Sequence, residues 1–192
     1  MNSQKKRLVI AMTGATGAIY GVRMLQVLQQ QEEWESHLVI SSAGLVNLSY
    51  ELEMSRSELY ALADITHGIN DIAATIASGS FQTEGVIIAP CSMKTLAAIA
   101  HGFGDNLISR SADVALKERR RVVIMPRETP LNLAHIRNMA SATEMGAIIF
   151  PPMPAFYNKS NSISAMVDEG VGRVLSMFAV NVEGLFTPWE GL

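Results

Sequence analysis

The sequence predicts one α/β domain, a mostly parallel sheet with helices on both faces. Three observations predict it. Short strand-like runs recur at residues 8–12, 35–40, 85–89, 122–125 and 147–150. Between them lie segments with apolar residues at helical spacing, such as Ile19, Val22, Leu25 and Leu28. Strands that alternate with helices pair in parallel, and a parallel sheet is covered on both faces. Finally, 192 residues without a repeat, linker or low-complexity stretch make one core and one domain, 1–192.

The first unit organises the rest. Residues 8–12 are an apolar strand, Thr13-Gly14-Ala15-Thr16-Gly17 is a tight turn, and a helix starts at Ala18. Backbone N–H groups at such a turn, with the positive end of a helix dipole, hold a phosphate. A strand-to-helix connection that holds nothing is the alternative. A dinucleotide fingerprint needs G-x-G-x-x-G and an acidic residue after the second strand. Here the glycines fall at Gly14, Gly17 and Gly21, and the second strand ends in Ser41-Ser42. Four residues past Tyr20, Tyr50, Tyr60 and Tyr157 stand Met24, Met54, Asp64 and Asn161, so no Tyr-x-x-x-Lys pair exists. No Gly-Lys-Ser/Thr follows the glycines either, which excludes a Walker loop.

The remaining elements follow in order. The second strand (35–40) leads to helices over 43–52 and 56–63, the latter with a Ser55/Glu58 capping box. Residues 70–77 have a short helical pattern, broken by Ser78-Gly79-Ser80. The third strand (85–89) ends at Pro90, and Ser92 caps a helix to about residue 100. Residues 101–106 are a loop and 107–120 a helix. The fourth strand (122–125) meets the rigid Pro126-Arg127-Glu128-Thr129-Pro130. A helix over 133–145 precedes the fifth strand (147–150), a proline turn, a last helix over 162–178 and a tail.

Ligands of such folds bind at the carboxyl ends of the strands. Those ends carry Thr13-Gly14-Ala15-Thr16, Ser41-Ser42, Pro90 to Thr95, Pro126-Arg127-Glu128, and Pro151 to Tyr157. Hydroxyls and cations on one edge describe a phosphate-rich site without a Ser-His-Asp triad. Each candidate has a plainer alternative. Ser92 is an N-cap, Cys91 a buried packing residue, Arg173 a snorkelling surface arginine and Tyr157 simple packing. Asp113 and Lys117 sit at i, i+4, so Lys117 is either a solvated helix end or a phosphate ligand across a subunit interface.

Composition narrows the class. A net charge of −3 and pI near 5.8 argue against a general nucleic-acid binder. Hydrophobic residues at 48% and charged residues at only 17% point to surface buried against other subunits. The apolar runs are too short to span a membrane. Lys5-Lys6-Arg7 before an apolar run mimics a signal peptide, but cleavage there would delete the first strand. One cysteine and no metal-ligand spacing among the four histidines predict a cytoplasmic protein with no structural metal.

Several ordered motifs carry a family resemblance: Met12-Thr-Gly-Ala-Thr-Gly-Ala18, Ser78-Gly-Ser-Phe-Gln82, Pro90-Cys-Ser-Met-Lys-Thr95, Ala112-Asp-Val-Ala-Leu-Lys-Glu-Arg119, Pro126-Arg-Glu-Thr-Pro130 and Pro151-Pro-Met-Pro-Ala-Phe-Tyr157. Over essentially its whole length the chain resembles the flavin prenyltransferases (UbiX/Pad1-type). The resemblance implies a three-layer Rossmann-like flavoprotein fold, assembled as a dodecamer with FMN at subunit interfaces. It implies a metal-independent transfer of the dimethylallyl group of dimethylallyl phosphate to N5 and C6 of reduced FMN. Prenylated FMN then serves a UbiD-type decarboxylase, in ubiquinone synthesis or phenolic-acid decarboxylation.

By the same resemblance, FMN is contacted by Gly14, Ala15, Thr16, Ser41, Ser92, Met93, Lys94, Thr95 and Arg127. The prenyl phosphate is held by Arg110, Lys117, Arg127, Glu128, Tyr157 and Arg173. Thr16, Glu51, Lys117, Glu128 and Trp189 carry catalytic roles, and the tail from about residue 180 to 192 closes the site. Thr16 stands where many members have Ser; the hydroxyl survives with an added methyl. The residue types suit the reaction, since cations stabilise a leaving phosphate and aromatic faces an allylic cation. The rival readings are a flavin-dependent cysteinyl decarboxylase and a non-catalytic FMN carrier. The decarboxylases carry Pro-x-Ser-Ala-Asn-Thr where this chain has Pro90-Cys-Ser-Met-Lys-Thr95. They also use a histidine after the first strand, and none lies between Gly14 and Arg23.

Overall fold

The computed structural model describes residues 5–189 and 191; the ends of the predicted domain, residues 1–4, 190 and 192, lie outside the described residues. Among the described residues, six strands form one all-parallel sheet: β1 (Lys6–Met12), β2 (Trp34–Ile40), β3 (Ile65–His67), β4 (Gly85–Cys91), β5 (Arg121–Pro126) and β6 (Ile148–Ile149). Their order across the sheet is β3-β2-β1-β4-β5-β6. The order reverses between β1 and β4, which is the switch point where such sheets open a crevice.

Alternating side chains of the buried strands feed two cores, because successive residues of a strand point to opposite faces. Leu8, Ile10 and Met12 of β1 pack on one face with helices α1 (Ala18–Gln29), α2 (Ser42–Leu52), α3 (Arg56–Tyr60) and α7 (Ile163–Ser176). Val9 and Ala11 pack on the other, with α4 (Met93–Ala100), α5 (Leu107–Lys117) and α6 (Leu133–Glu144). The helices bring apolar stripes to match: Val22, Leu25 and Leu28 of α1, and Val167, Val171 and Val174 of α7. Each fully buried side chain of this size contributes about 1.5–3 kcal/mol.

Several expectations need correction, and one strand was not expected at all. Pro90 does not end its strand: β4 continues through it to Cys91, across a register irregularity between Ile88 and Cys91. A proline has no N–H to lose at a bulge, so the strand tolerates it there. Residues 70–77 are not a helix but a loop with a single 3₁₀ turn at Thr75–Ala77. The helix expected to residue 120 stops at Lys117, because Arg119 adopts a left-handed conformation (φ 57°). That turn frees Arg120 to donate to the carbonyls of Phe81 and Gly79 at 2.7 and 2.6 Å. Strand β3 escaped the sequence pattern altogether. It is three residues long, at the sheet edge and half exposed, so it carries no apolar run.

Candidate functional site

A cavity of about 510 Å³ opens at the switch point, within the usual size of a small-molecule site. Its walls come from the loops after β1, β2 and β4 and from the start of α5: Thr13 and Gly14, Ser41 to Ala43, Ser92, Lys94 and Thr95, and Asp105, Asn106 and Ile108 with Asn70. Three helix N-termini reach it. Ser41 caps α2, its hydroxyl accepting from the Gly44 amide at 3.0 Å. Ser92 caps α4 in the same way, accepting from the Thr95 amide at 3.3 Å. These caps satisfy one amide each, and the first-turn amides before them have no intrahelical acceptor. The α5 terminus is closed: Asn106 accepts from the amides of Ile108 and Ser109 at 2.9 and 3.2 Å, and Leu107 donates to Ile69.

Two open helix starts, the hydroxyls of Ser41, Ser92 and Thr95, and the Lys94 ammonium make an anion-binding wall. Gly14 is needed here because α2 comes so close that an added Cβ would run into the side chain of Ala43. The phosphate cradle expected at the start of α1 is not open. Glu51 accepts from the amides of both Gly17 and Ala18 at 2.9 Å, so the chain's own carboxylate occupies that helix terminus.

A second cavity, about 470 Å³, lies beyond the end of β6. Tyr157, Met166, Glu169, Arg173 and Trp189 line it. The rings of Tyr157 and Trp189 meet edge to face, 5.4 Å apart at 74°. Arg173 is exposed, and among the described residues its guanidinium hydrogen-bonds only to Ser176, at 3.4 Å. Its guanidinium is therefore available to an anion, with the aromatic pair beside it.

The sequence candidates divide accordingly. Gly14, Ser41, Ser92, Lys94 and Thr95 share the first cavity; Tyr157, Arg173 and Trp189 share the second. Arg127 and Glu128 stand exposed at the end of β5, the strand between β4 and β6. The Arg127 amide donates to Cys91 at 3.2 Å, and Glu128 accepts from the Thr129 amide at 3.0 Å. Ala15 is buried, Met93 half-buried and Thr16 exposed, and none of the three lines either cavity.

Arg110 and Lys117 are not brought to these residues. Arg110 donates to Asp113 at 2.7 Å and to the Ala77 carbonyl at 3.3 Å. Lys117 pairs with Glu118, which lowers the Glu118 pKa, and not with Asp113 as its spacing predicted. Lys117 ends α5, about 15 Å along the helix from the cavity. Cys91 is fully buried; burial pushes its thiol pKa far up, which agrees with a packing role. The sequence placed Thr13 at the end of the first strand, among the ligand-edge residues, but missed Asn70 and Asn106. Only Asn106 left a signal, an N-cap residue directly before the amphipathic α5.

A family model described as Flavoprotein matches residues 1–179. The flavin prenyltransferase UbiX of Escherichia coli (strain K12) is 52% identical over 187 residues, 97% of this chain and 99% of that protein. The crystal structure of AnUbiX (PadA1) in complex with FMN and dimethylallyl pyrophosphate is similar at a TM-score of 0.95 and 51% identity, covering 98% of this chain and 100% of that one. A dodecameric FMN-dependent UbiX-like decarboxylase from Escherichia coli O157:H7 is similar at a TM-score of 0.93 and 45% identity, covering 96% and 100%.

Proposed function

Because the chain belongs to the flavoprotein family and, within it, to the flavin prenyltransferases, we propose that it transfers the dimethylallyl group of dimethylallyl phosphate to N5 and C6 of reduced FMN. The C–O bond would break with its electron pair going to phosphate while N5 bonds to that carbon and gives up its proton; C6 would bond to the far end of the prenyl double bond and lose its hydrogen as the carbon between takes a proton, so that one proton in net leaves with the phosphate. The observation that carries this reading is the pair of cavities on one sheet edge, one suited to a flavin phosphate and one to a prenyl phosphate, with Arg127 and Glu128 between them.

In this reading the amides and hydroxyls at the starts of α2 and α4, with Lys94, bind the FMN phosphate. Arg173 and Arg127 hold the leaving phosphate, where fixed positive charge lowers the barrier most as negative charge develops. Tyr157 and Trp189 present ring faces to the allylic cation and cover it from water. Glu128, exposed next to Arg127, takes or returns protons. Glu51 holds the start of α1 beside Thr16, at the edge of the flavin. The reaction itself belongs to the flavin and the prenyl phosphate; the chain binds and orients them.

The assembly is a homo-oligomer, and we infer a dodecamer from the similar structure of that size. Exposed Val46 and Tyr50 on α2, Leu133 and Ile136 on α6, and Met153 and Phe156 after β6 supply apolar surface for it. In such an assembly a neighbouring copy brings Lys117 and Arg110 to the site. No helix among the described residues is long and apolar enough to cross a membrane. We place the protein in the cytoplasm, where a UbiD-type decarboxylase takes up its product.

Anaerobic incubation with reduced FMN and dimethylallyl phosphate, followed by mass spectrometry of the released flavin, tests the reading. The flavin is expected to gain one prenyl unit. An unchanged flavin mass would reduce the protein to an FMN carrier.

A further inference from the structure

The residue at the end of β1 ties the loops of the first cavity together. Thr13 is 2% exposed. Its hydroxyl donates to the Pro90 carbonyl at 2.9 Å and accepts from the Ser92 amide at 2.7 Å. Its own amide donates to the same Pro90 carbonyl at 3.1 Å. The preceding carbonyl, Met12, accepts from the Ser41 amide at 3.0 Å. Two consecutive residues thus fix the N-caps of both α2 and α4. The link lies beyond the reach of regular sheet pairing, because the β1–β4 ladder has its last partner pair at Ala11 and Ile88.

A hydroxyl is the one small side chain that does this. It donates once and accepts at the same atom, so it satisfies a carbonyl and an amide that point at it from one strand end. Valine has the same shape but offers neither group, and it would take this partner from the half-buried Ser92 amide and the hydroxyl donor from the Pro90 carbonyl.

We propose that Thr13 is a positioning residue for FMN: its hydroxyl sets the Ser92 cap, and so the direction of the α4 amides, against the Gly14 turn. The inference rests on the reading of this cavity as the FMN site. It concerns binding and not the prenyl transfer step.

FMN affinity of the full-length protein, followed by flavin fluorescence, and the steady-state constants test it together. Thr13→Val is expected to raise the FMN Kd and the KM for reduced FMN about tenfold, because the start of α4 is no longer held in its binding geometry and has to be ordered when FMN binds. Its kcat at saturating FMN stays within about twofold of wild type, since the contact is to the flavin's binding loop and equal in ground and transition states. Thr13→Ser keeps the hydroxyl and is expected to restore the Kd. A folded Thr13→Val protein that binds FMN like wild type overturns the proposal, whatever its melting temperature, and so does a Thr13→Ser protein that is no better than Val. Should the Val protein not fold, amide hydrogen exchange on the wild type decides: the Ser92 amide is expected to exchange slowly without FMN, and rapid exchange overturns the link. If the wild type binds FMN without prenylating it, the proposed activity falls while the Thr13 assignment stands.

Discussion

Glu51 illustrates what a single side chain settles. Both of its hydrogen bonds converge on one carboxylate oxygen, Oε2, which caps the positive end of α1 through the Gly17 and Ala18 amides. Gly17 itself sits at φ 101°, which a residue with a side chain adopts only under strain, so the turn cannot cap its own helix with a serine or aspartate. The cap comes instead from 34 residues downstream. Glu51→Ala is therefore expected to lower stability by about 1–2 kcal/mol. Glu51→Gln keeps an acceptor without its charge and should lose about half of that. Urea unfolding of the three proteins measures it; equal midpoints would mean that the cap is idle. The residue was singled out only through the family resemblance, and its partner was not, because nothing local connects α2 to the first turn.

At the scale of elements, the edge strand β3 is held by a polar ladder that crosses three strands. His37 of β2 is fully buried, with Nε2 3.0 Å from Glu35 Oε1 and Nδ1 2.9 Å from His67 Nε2 on β3. A carboxylate only accepts, so His37 donates through Nε2 and accepts from His67 at Nδ1. Arg7 of β1 donates to the same Glu35 oxygen at 2.8 Å and lies over the Phe81 ring. Burial lowers the His37 pKa, outweighing the opposite pull of Glu35 and Asp64, while Arg7 adds to the lowering. Burial and the neighbouring His37 lower that of His67, against Asp71. The unfolded chain then binds more protons than the folded one below its ordinary histidine pKa of about 6.5. Stability is complete above that pH and is lost as the pH falls toward the lowered native values. Urea midpoints at pH 7.5 and 5.5 should show the drop, and a His67→Asn variant should show a smaller one. A wild-type midpoint that does not move would contradict the neutral ladder. The five strand-and-helix units were readable because each carries its own apolar period. This ladder was not, since His37, His67, Glu35 and Arg7 are isolated polar letters until the strands are laid side by side.

The whole molecule places two groups of phosphate-binding candidates apart. Arg173, Tyr157 and Trp189 surround one cavity, and Lys117 lies at the far end of α5 with its ammonium on Glu118. If both groups serve one reaction, different copies supply them, as a ring-forming contact between unlike surfaces allows. Lys117→Ala and Arg173→Ala proteins should each bind FMN and lose prenylation. Mixed and allowed to exchange subunits, they should regain about a quarter of wild-type activity, because a random assembly then pairs an intact Lys117 with an intact Arg173 in that share of sites. No recovery after confirmed exchange would place both residues in the same subunit's site.

The sequence by itself determined the layered α/β architecture, the edge on which the candidate ligand residues gather, and, through its ordered motifs, the family. Those properties follow from local periodicity and from short contiguous motifs, which survive without knowledge of strand order. Only the tertiary structure decided which helix starts remain open to an anion, that Pro90 lies inside a strand, that Thr13 links two loops 79 residues apart, and that Lys117 stands away from Arg173. Each of these depends on pairing between distant segments, and a hydrogen-bond partner brought from elsewhere in the chain leaves no mark on the local pattern.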